Sequence, residues 1–246
     1  MEAKKIKTIK TKLAELIQET ADTRTLIFRF PSGHSLDFLP GQFCMVKTNV
    51  EVKGKKEGVA RPLSLATPST RKDYLEFTVK EVPGGLFSTH IVRKAKVGDE
   101  FEIKGPLGAF VFEEGSTDNI VLIGGGCGIV PLMCMIRYIT DKKLSIKMTL
   151  LYSNKFPNDI IYYKELEELQ KKHKNLTVIH TITRPEGFEW KGRVGRIDED
   201  LLKKYLGNDK TIFYVCGPPP LMEAVDFMMD VLKMDSDRVK MEKYHS

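Results

Sequence analysis

The stretch NIVLIGGGCGIVPLMCMIRYI, residues 119–139, carries the reading of the fold. Residues 119–123 form an apolar run that suits a buried strand, residues 124–131 break it with glycines and a proline, and residues 132–139 resume with helical spacing. A strand that turns through glycines into a helix offers free backbone N–H groups and the positive end of a helix dipole, which together hold a diphosphate. The common Gly-x-Gly-x-x-Gly fingerprint requires glycine at 129, where this chain has Ile129. What remains is Gly126-x-Gly128-x-x-Pro131, and Pro131 suits the first turn of a helix, where no intrahelical donor is lost. Three readings stand at this point: a phosphate cradle formed by Gly125, Gly126, Cys127 and Gly128, a tight connection and no more, or a redox thiol at Cys127 activated by the helix N-terminus. Cys127 has no resolving cysteine nearby, and Cys134, seven residues on, reads as a small buried side chain.

Downstream, apolar strands alternate with helical segments at 129–140, 159–173, 198–206 and 220–233. Regular alternation of this kind predicts a parallel sheet wrapped by helices, with ligands at the carboxyl ends of the strands. At that same edge FYVCGPPPLM, residues 213–222, ends a strand at Cys216 and turns through Gly217 and Pro218 into a helix. Asp159 is read as a cap or dipole partner at the start of its helix.

Upstream, from about residue 8 to 112, the chain reads as short strands separated by Gly and Pro, which predicts an antiparallel barrel or sandwich. One helix is expected at FSTHIVRKA, capped by Ser88 or Thr89, and NVEVKGKKEGV is expected to be a polar, mobile loop. Arg61 supplies a planar cation suited to diphosphate, Ser64 lies on the same strand, and Gly85-x-x-Ser88 opens the short helix. Taken together they suggest that this half binds a nucleotide of its own.

A chain of 246 residues fits two domains, expected at 1–112 and 113–246. The composition, 41% hydrophobic and 29% charged, is that of a soluble globular protein, and no apolar stretch is long enough to span a bilayer. The basic start lacks an apolar block with small cleavage residues, so the expected location is cytoplasmic. The net charge of +6 is scattered among glutamates, which argues for a solvated surface rather than nucleic-acid binding, while leaving a field that favours an acidic partner or a phosphorylated ligand. The four cysteines form no C-x-x-C pair, so neither a metal site nor structural disulfides are expected.

The chain resembles the ferredoxin-NADP reductase superfamily over nearly its whole length. The blocks run in order: PGQFCMV (40–46), RPLSLAT (61–67), GGLFS (84–88), VGDEFEIKGPLGAF (97–110), LIGGGCGIVPL (122–132), NDIIYYKEL (158–166), WKGRVGRI (190–197), YVCGPPPLM (214–222) and MEKY (241–244). The resemblance implies an N-terminal flavin-binding antiparallel β-barrel followed by an α/β parallel-sheet domain for NAD(P)H. It implies that Arg61 and the turn Gly84, Gly85 to Ser88 hold the FAD diphosphate, that Pro62, Leu63 and Ser64 border the flavin with Ser64 near N5, and that the glycine loop and Gly217–Pro218 hold the nicotinamide nucleotide. Cys216 is then placed beside the reactive nicotinamide carbon, with Glu242 and Tyr244 approaching the flavin ring. FAD is expected over FMN on family frequency.

Two departures matter: Leu63 stands where most members have a stacking tyrosine, and Cys127 where most have threonine. At the end of the second parallel strand Ser153, Asn154 and Lys155, with Arg184 after the next strand, supply cations where a carboxylate would take the ribose of NADH, which leans the expectation to NADPH. The chain ends at KYHS without a cysteine cluster, so electrons are expected to leave to a separate acceptor protein such as a ferredoxin, flavodoxin, cytochrome or oxygenase. The alternative is an electron-transfer or regulatory subunit of a larger complex.

Overall fold

Alternating inward and outward side chains fold the first part of the chain into antiparallel strands. The computed structural model describes residues 5–30 and 35–243. Strands β1 (Lys7–Lys12), β2 (Glu15–Thr20), β3 (Thr23–Arg29), β4 (Phe43–Val52), β5 (Lys55–Ser64), β6 (Tyr74–Lys80) and β7 (Glu100–Leu107) form two antiparallel sheets, ordered β1-β7-β4-β5 and β2-β3-β6. Helix α1 (Leu86–Arg93) follows β6. The inward residues meet in one core, where Phe28 packs edge-on against Phe77 and Phe101 with ring centroids 6.0 and 5.0 Å apart. Aromatic pairs in this geometry contribute beyond their simple burial.

The segment NVEVKGKKEGV, expected as a mobile loop, instead completes β4 and opens β5. Thr48 and Val50 point inward, Asn49 and Glu51 outward, and Lys53 and Gly54 turn the chain with φ of 50° and 77°. Two positive φ angles are what a two-residue hairpin turn needs, and its lysines masked a regular period of two. The helix at α1 also differs in its cap. Gly85 is the N-cap, with no side-chain cap bond, while Ser88 lies inside the first turn and its Oγ accepts the Val82 N–H at 3.1 Å.

Continuous apolar runs build the second sheet, because its central strands are buried on both faces. Strands β8 (Asn119–Gly125), β9 (Lys147–Asn154), β10 (Leu176–Ile182), β11 (Arg193–Val194), β12 (Ile212–Gly217) and β13 (Val239–Lys243) pair in the order β11-β10-β9-β8-β12-β13, all parallel. Helices α2 (Ile129–Asp141), α3 (Tyr163–Lys172), α4 (Glu199–Lys203) and α5 (Pro219–Val231) alternate with them. The helix expected from 159 starts later: Pro157–Asp159 is a separate 3-10 turn and Tyr162, at φ 59°, leads into α3. Asp159 therefore lies within that turn, four residues ahead of α3, and neither start carries a side-chain cap bond.

The chain divides into two compact units, one holding the residues up to Phe112 with Met133–Asp141, the other Glu113–Leu132 with the residues from Lys142 onward. Helix α2 thus gives its first turn to the second unit and its remainder to the first. Among the described residues no helix is long and apolar enough to cross a membrane.

Candidate functional site

In the second unit the strand order sets four carboxyl ends side by side. Gly125 pairs with Ser153 across β8 and β9, Gly124 with Cys216 across β8 and β12, and Cys216 with Glu242 across β12 and β13. One edge of the sheet therefore carries the glycine loop, Ser153, Asn154, Cys216 and Glu242. Tyr244 lies outside the described residues.

The glycine loop and the Cys216–Pro218 turn touch through backbone. A Cβ placed on Gly128 would lie 2.0 Å from the Cys216 carbonyl oxygen and 2.7 Å from Gly217 Cα, distances no side chain tolerates. At Gly125 an added Cβ would stand 2.7 Å from Leu221 Cδ2 and 3.0 Å from Pro218 Cδ. Gly126 is different. Its φ of +51° favours glycine, and an added Cβ would meet nothing within 4 Å, so its backbone borders open space. Residues Gly126–Gly128 form a 3-10 turn that runs straight into α2, and its carbonyls accept the Ile129 N–H, so the donors left for an anion belong to the glycine turn itself. The neighbouring α5 begins Pro218, Pro219, Pro220 and offers no such donors. A diphosphate on this edge consequently fits the start of α2.

Sequence reasoning missed the residue that holds this loop. Tyr152, fully buried on β9, donates its hydroxyl to the Gly126 carbonyl at 2.8 Å. Burial first, and the nearby Cys127 second, push its ionisation above the ordinary tyrosine range, so it stays a donor. The signal was available in the alternation of LLYSN, which sets Tyr152 and Asn154 on one face of β9. Asn154, 5% exposed, sets its side-chain amide against the Tyr152 hydroxyl on the same face of β9. Lys155 and Arg184 are exposed at the ends of β9 and β10, joined by the Arg184 N–H to the Lys155 carbonyl at 2.9 Å. Cys127 is half-buried and Cys216 fully buried.

The first unit holds the other candidate residues. Arg61 and Pro62 are exposed on β5, an edge strand, Leu63 is half-buried against the core, and Ser64 is 5% exposed. Helix α1 packs beside β5. Gly84 has φ +77° with open space where a Cβ would stand, and at Gly85 a Cβ would approach Ser88 Oγ to 2.7 Å. The absence of a side-chain cap leaves the first N–H groups of α1 available to an anion, with the Arg61 guanidinium on the neighbouring strand. A second diphosphate fits this arrangement. Burial pushes the Cys44 and Cys134 thiols up to about 12, which leaves both as packing groups.

Comparison with known proteins agrees with both halves. A family described as "Oxidoreductase FAD-binding domain" matches residues 10–112, and one described as "Oxidoreductase NAD-binding domain" matches residues 122–226. The chain is similar to NADH-cytochrome b5 reductase 2 of Candida glabrata, 32% identical over 89% of this chain and 74% of that protein. It is also similar to the reductase component of propane 2-monooxygenase from Mycolicibacterium smegmatis, 29% identical over 98% of this chain and 69% of that protein. Among solved structures, the cytochrome b5 reductase domain of Ulva prolifera nitrate reductase superposes with a TM-score of 0.84 at 25% identity, covering 96% of this chain and 97% of that one.

Proposed function

The chain belongs to the ferredoxin-NADP reductase superfamily of FAD-dependent NAD(P)H oxidoreductases, and on that footing we propose that it takes hydride from NAD(P)H onto N5 of bound FAD and hands the electrons to a separate acceptor protein. We assign FAD to a domain spanning 1–112 and NAD(P)H to one spanning 113–246. The observation that carries this reading is the pair of open helix starts, one at Gly84–Ser88 on α1, which packs beside the strand that carries Arg61, and one at Gly126–Gly128 beside Cys216. Bound FAD supplies the conversion of a two-electron donor into single electrons.

The residues divide the work. Arg61, Gly84, Gly85 and Ser88 hold the flavin diphosphate, Pro62 and Leu63 border the flavin, and Ser64 gives N5 a hydroxyl partner. Gly125, Gly126, Cys127 and Gly128, kept in place by Tyr152, hold the nicotinamide diphosphate, while Gly217 and Pro218 shape the wall. Cys216 sets the nicotinamide, and Glu242 and Tyr244 supply the field and cover near the ring. Holding the two reacting centres in register is worth several orders of magnitude in rate.

We infer a preference for NADPH: Lys155 and Arg184 bring two cations together at the end of β9 and β10, and Ser153 and Asn154 stand where a ribose-binding carboxylate would be. The names of the cytochrome b5 reductase relatives specify NADH, so the preference is a property to measure here. A several-fold higher kcat/KM with NADPH supports it, and the reverse ratio overturns it. The acceptor we propose is a one-electron carrier, with a ferredoxin, flavodoxin, cytochrome or oxygenase as the candidates; relatives named as reductase components of propane and glycine betaine monooxygenases favour a second reading, in which the chain serves as an electron-transfer or regulatory subunit of a larger complex. A yellow purified chain that reduces ferricyanide with NAD(P)H alone supports the enzyme; a colourless one, after incubation with FAD, supports the regulatory subunit. The four free thiols fit a cytoplasmic location.

A further inference from the structure

An ion pair lies buried in the first unit, and neither of its members was assigned a role above. Arg137 on α2 and Glu76 on β6 are each 6% exposed, and the Arg137 Nη1 donates to Glu76 Oε1 at 2.9 Å. The same nitrogen donates to the Ala66 carbonyl at 2.9 Å. Around it, the Cys134 thiol, one turn earlier on α2, donates to the Thr67 carbonyl at 3.0 Å. The Glu76 N–H donates to Thr67 Oγ1 at 2.5 Å, and the Ala66 N–H to the Glu76 carbonyl at 2.9 Å. On the other side the Leu65 N–H donates to the Gln42 carbonyl at 3.0 Å, and the Gln42 side chain is itself fixed by the Leu39 N–H and the Gly108 carbonyl.

Five of these bonds end on residues 65–67, the three that follow Ser64 as the chain leaves β5, and the rest brace the groups that make them. That segment has left the regular ladder of its sheet, so nothing periodic holds it. A buried ion pair is a poor source of stability, because desolvating both charges offsets most of their attraction. Replacing such a pair with apolar residues of similar volume is often neutral, so a pair in this place calls for another role. Its geometry supplies one: a single nitrogen of the planar guanidinium bridges a carbonyl two residues from Ser64 and the Glu76 carboxylate on β6.

We propose that Arg137 and Glu76 are positioning residues for the flavin, acting by fixing residues 65–67 and so the direction in which Ser64 presents its hydroxyl. The proposal rests on the assignment of Ser64 to the flavin made above. Its logic is that of an outer shell: the group that meets the cofactor is held only as accurately as the backbone carrying it. Cys134 contributes to the same clamp, which gives this buried thiol a role in addition to filling space.

The test uses the full chain reconstituted with FAD. Glu76→Leu combined with Arg137→Met removes both charges at similar volume, and Arg137→Lys keeps the charge but replaces the planar guanidinium with a compact ammonium on a flexible stem. Arg71→Ala is the control, since it breaks the exposed Arg71–Asp141 pair at the end of the same helix without touching residues 65–67. We expect the double variant to melt close to wild type yet bind FAD about tenfold more weakly, with a displaced flavin midpoint potential and altered visible circular dichroism. Arg137→Lys falls between, and Arg71→Ala matches wild type. A double variant of native stability with unchanged FAD affinity and potential overturns the proposal; if the double variant does not fold, unchanged values in Arg137→Lys overturn it equally. A wild-type chain that takes up no FAD refutes the flavin assignment itself and this proposal with it, an outcome distinct from wild-type binding that the variants leave unaltered.

Discussion

Replacing Gly128 with alanine isolates the contact between the glycine loop and the Cys216 turn. The added methyl would stand 2.0 Å from the Cys216 carbonyl oxygen, 2.5 Å from its carbon and 2.7 Å from Gly217 Cα. All three are backbone atoms, so no rotamer change relieves the clash, and the two loops must part by at least about 1 Å to restore contact distance. Overpacking of this kind costs roughly 1–3 kcal/mol of stability. A displacement of about 1 Å at a reacting centre costs on the order of 100-fold in rate. Gly126→Ala is the matched comparison, with a positive φ but open space around the new methyl, so its cost is confined to backbone strain of about 1–2 kcal/mol. Stopped-flow reduction of the flavin by NADPH, with FAD content and melting temperature measured alongside, separates the effects. The expected result is normal FAD content and reduction slowed on the order of 100-fold in Gly128→Ala, with a weaker effect in Gly126→Ala. Wild-type reduction in Gly128→Ala would refute the claim that this contact positions the nicotinamide.

Cys216→Ala should leave FAD content unchanged and slow flavin reduction by up to about 100-fold, and an unchanged stopped-flow rate removes Cys216 from the site. Leu63→Tyr should tighten FAD binding by roughly two- to tenfold, the equivalent of one stacked ring; a higher dissociation constant means that the core against which Leu63 packs already fills the tyrosine's place. Burial among Tyr152, Tyr163 and Trp190 lowers the His180 pKa to about 4. The unfolded chain binds this proton below about 6.5 and the folded chain only below about 4, so stability falls as pH drops through that window, by about 3 kcal/mol in all. Denaturant titrations between these pH values should show a shallower slope in His180→Phe, and an unchanged slope locates the effect elsewhere.

Much of the candidate site's placement was legible because its motifs are local in sequence. The glycine loop, the Cys-Gly-Pro turn and the Arg61–Ser64 block each announce themselves within ten residues, and strand alternation is enough to set the first two at one edge of a parallel sheet. The hairpin at Lys53–Gly54 was hidden because its outward positions are lysines and glutamates, which read as loop although Thr48, Val50 and Val52 keep strict alternation. The cap at α1 was misplaced because Ser88 is a good capping residue by type, yet the turn at Gly84 and Gly85 starts the helix earlier. Tyr152 showed only as an alternating position of β9, with nothing to mark its partner, and the Arg137–Glu76 pair was not legible at all. Their partners lie 26 and 61 residues away, and nothing in the local pattern distinguishes a buried arginine on α2 from an exposed one until the fold brings β6 beside it.

Anaerobic titration of the FAD-reconstituted wild-type chain with NADPH and with NADH, followed at the visible flavin bands, tests the central assignment most directly. The account predicts about one FAD retained per chain and bleaching by one equivalent of nucleotide, before any acceptor protein is added. A chain that retains no FAD, or retains it and is bleached by dithionite but by neither nucleotide, contradicts it.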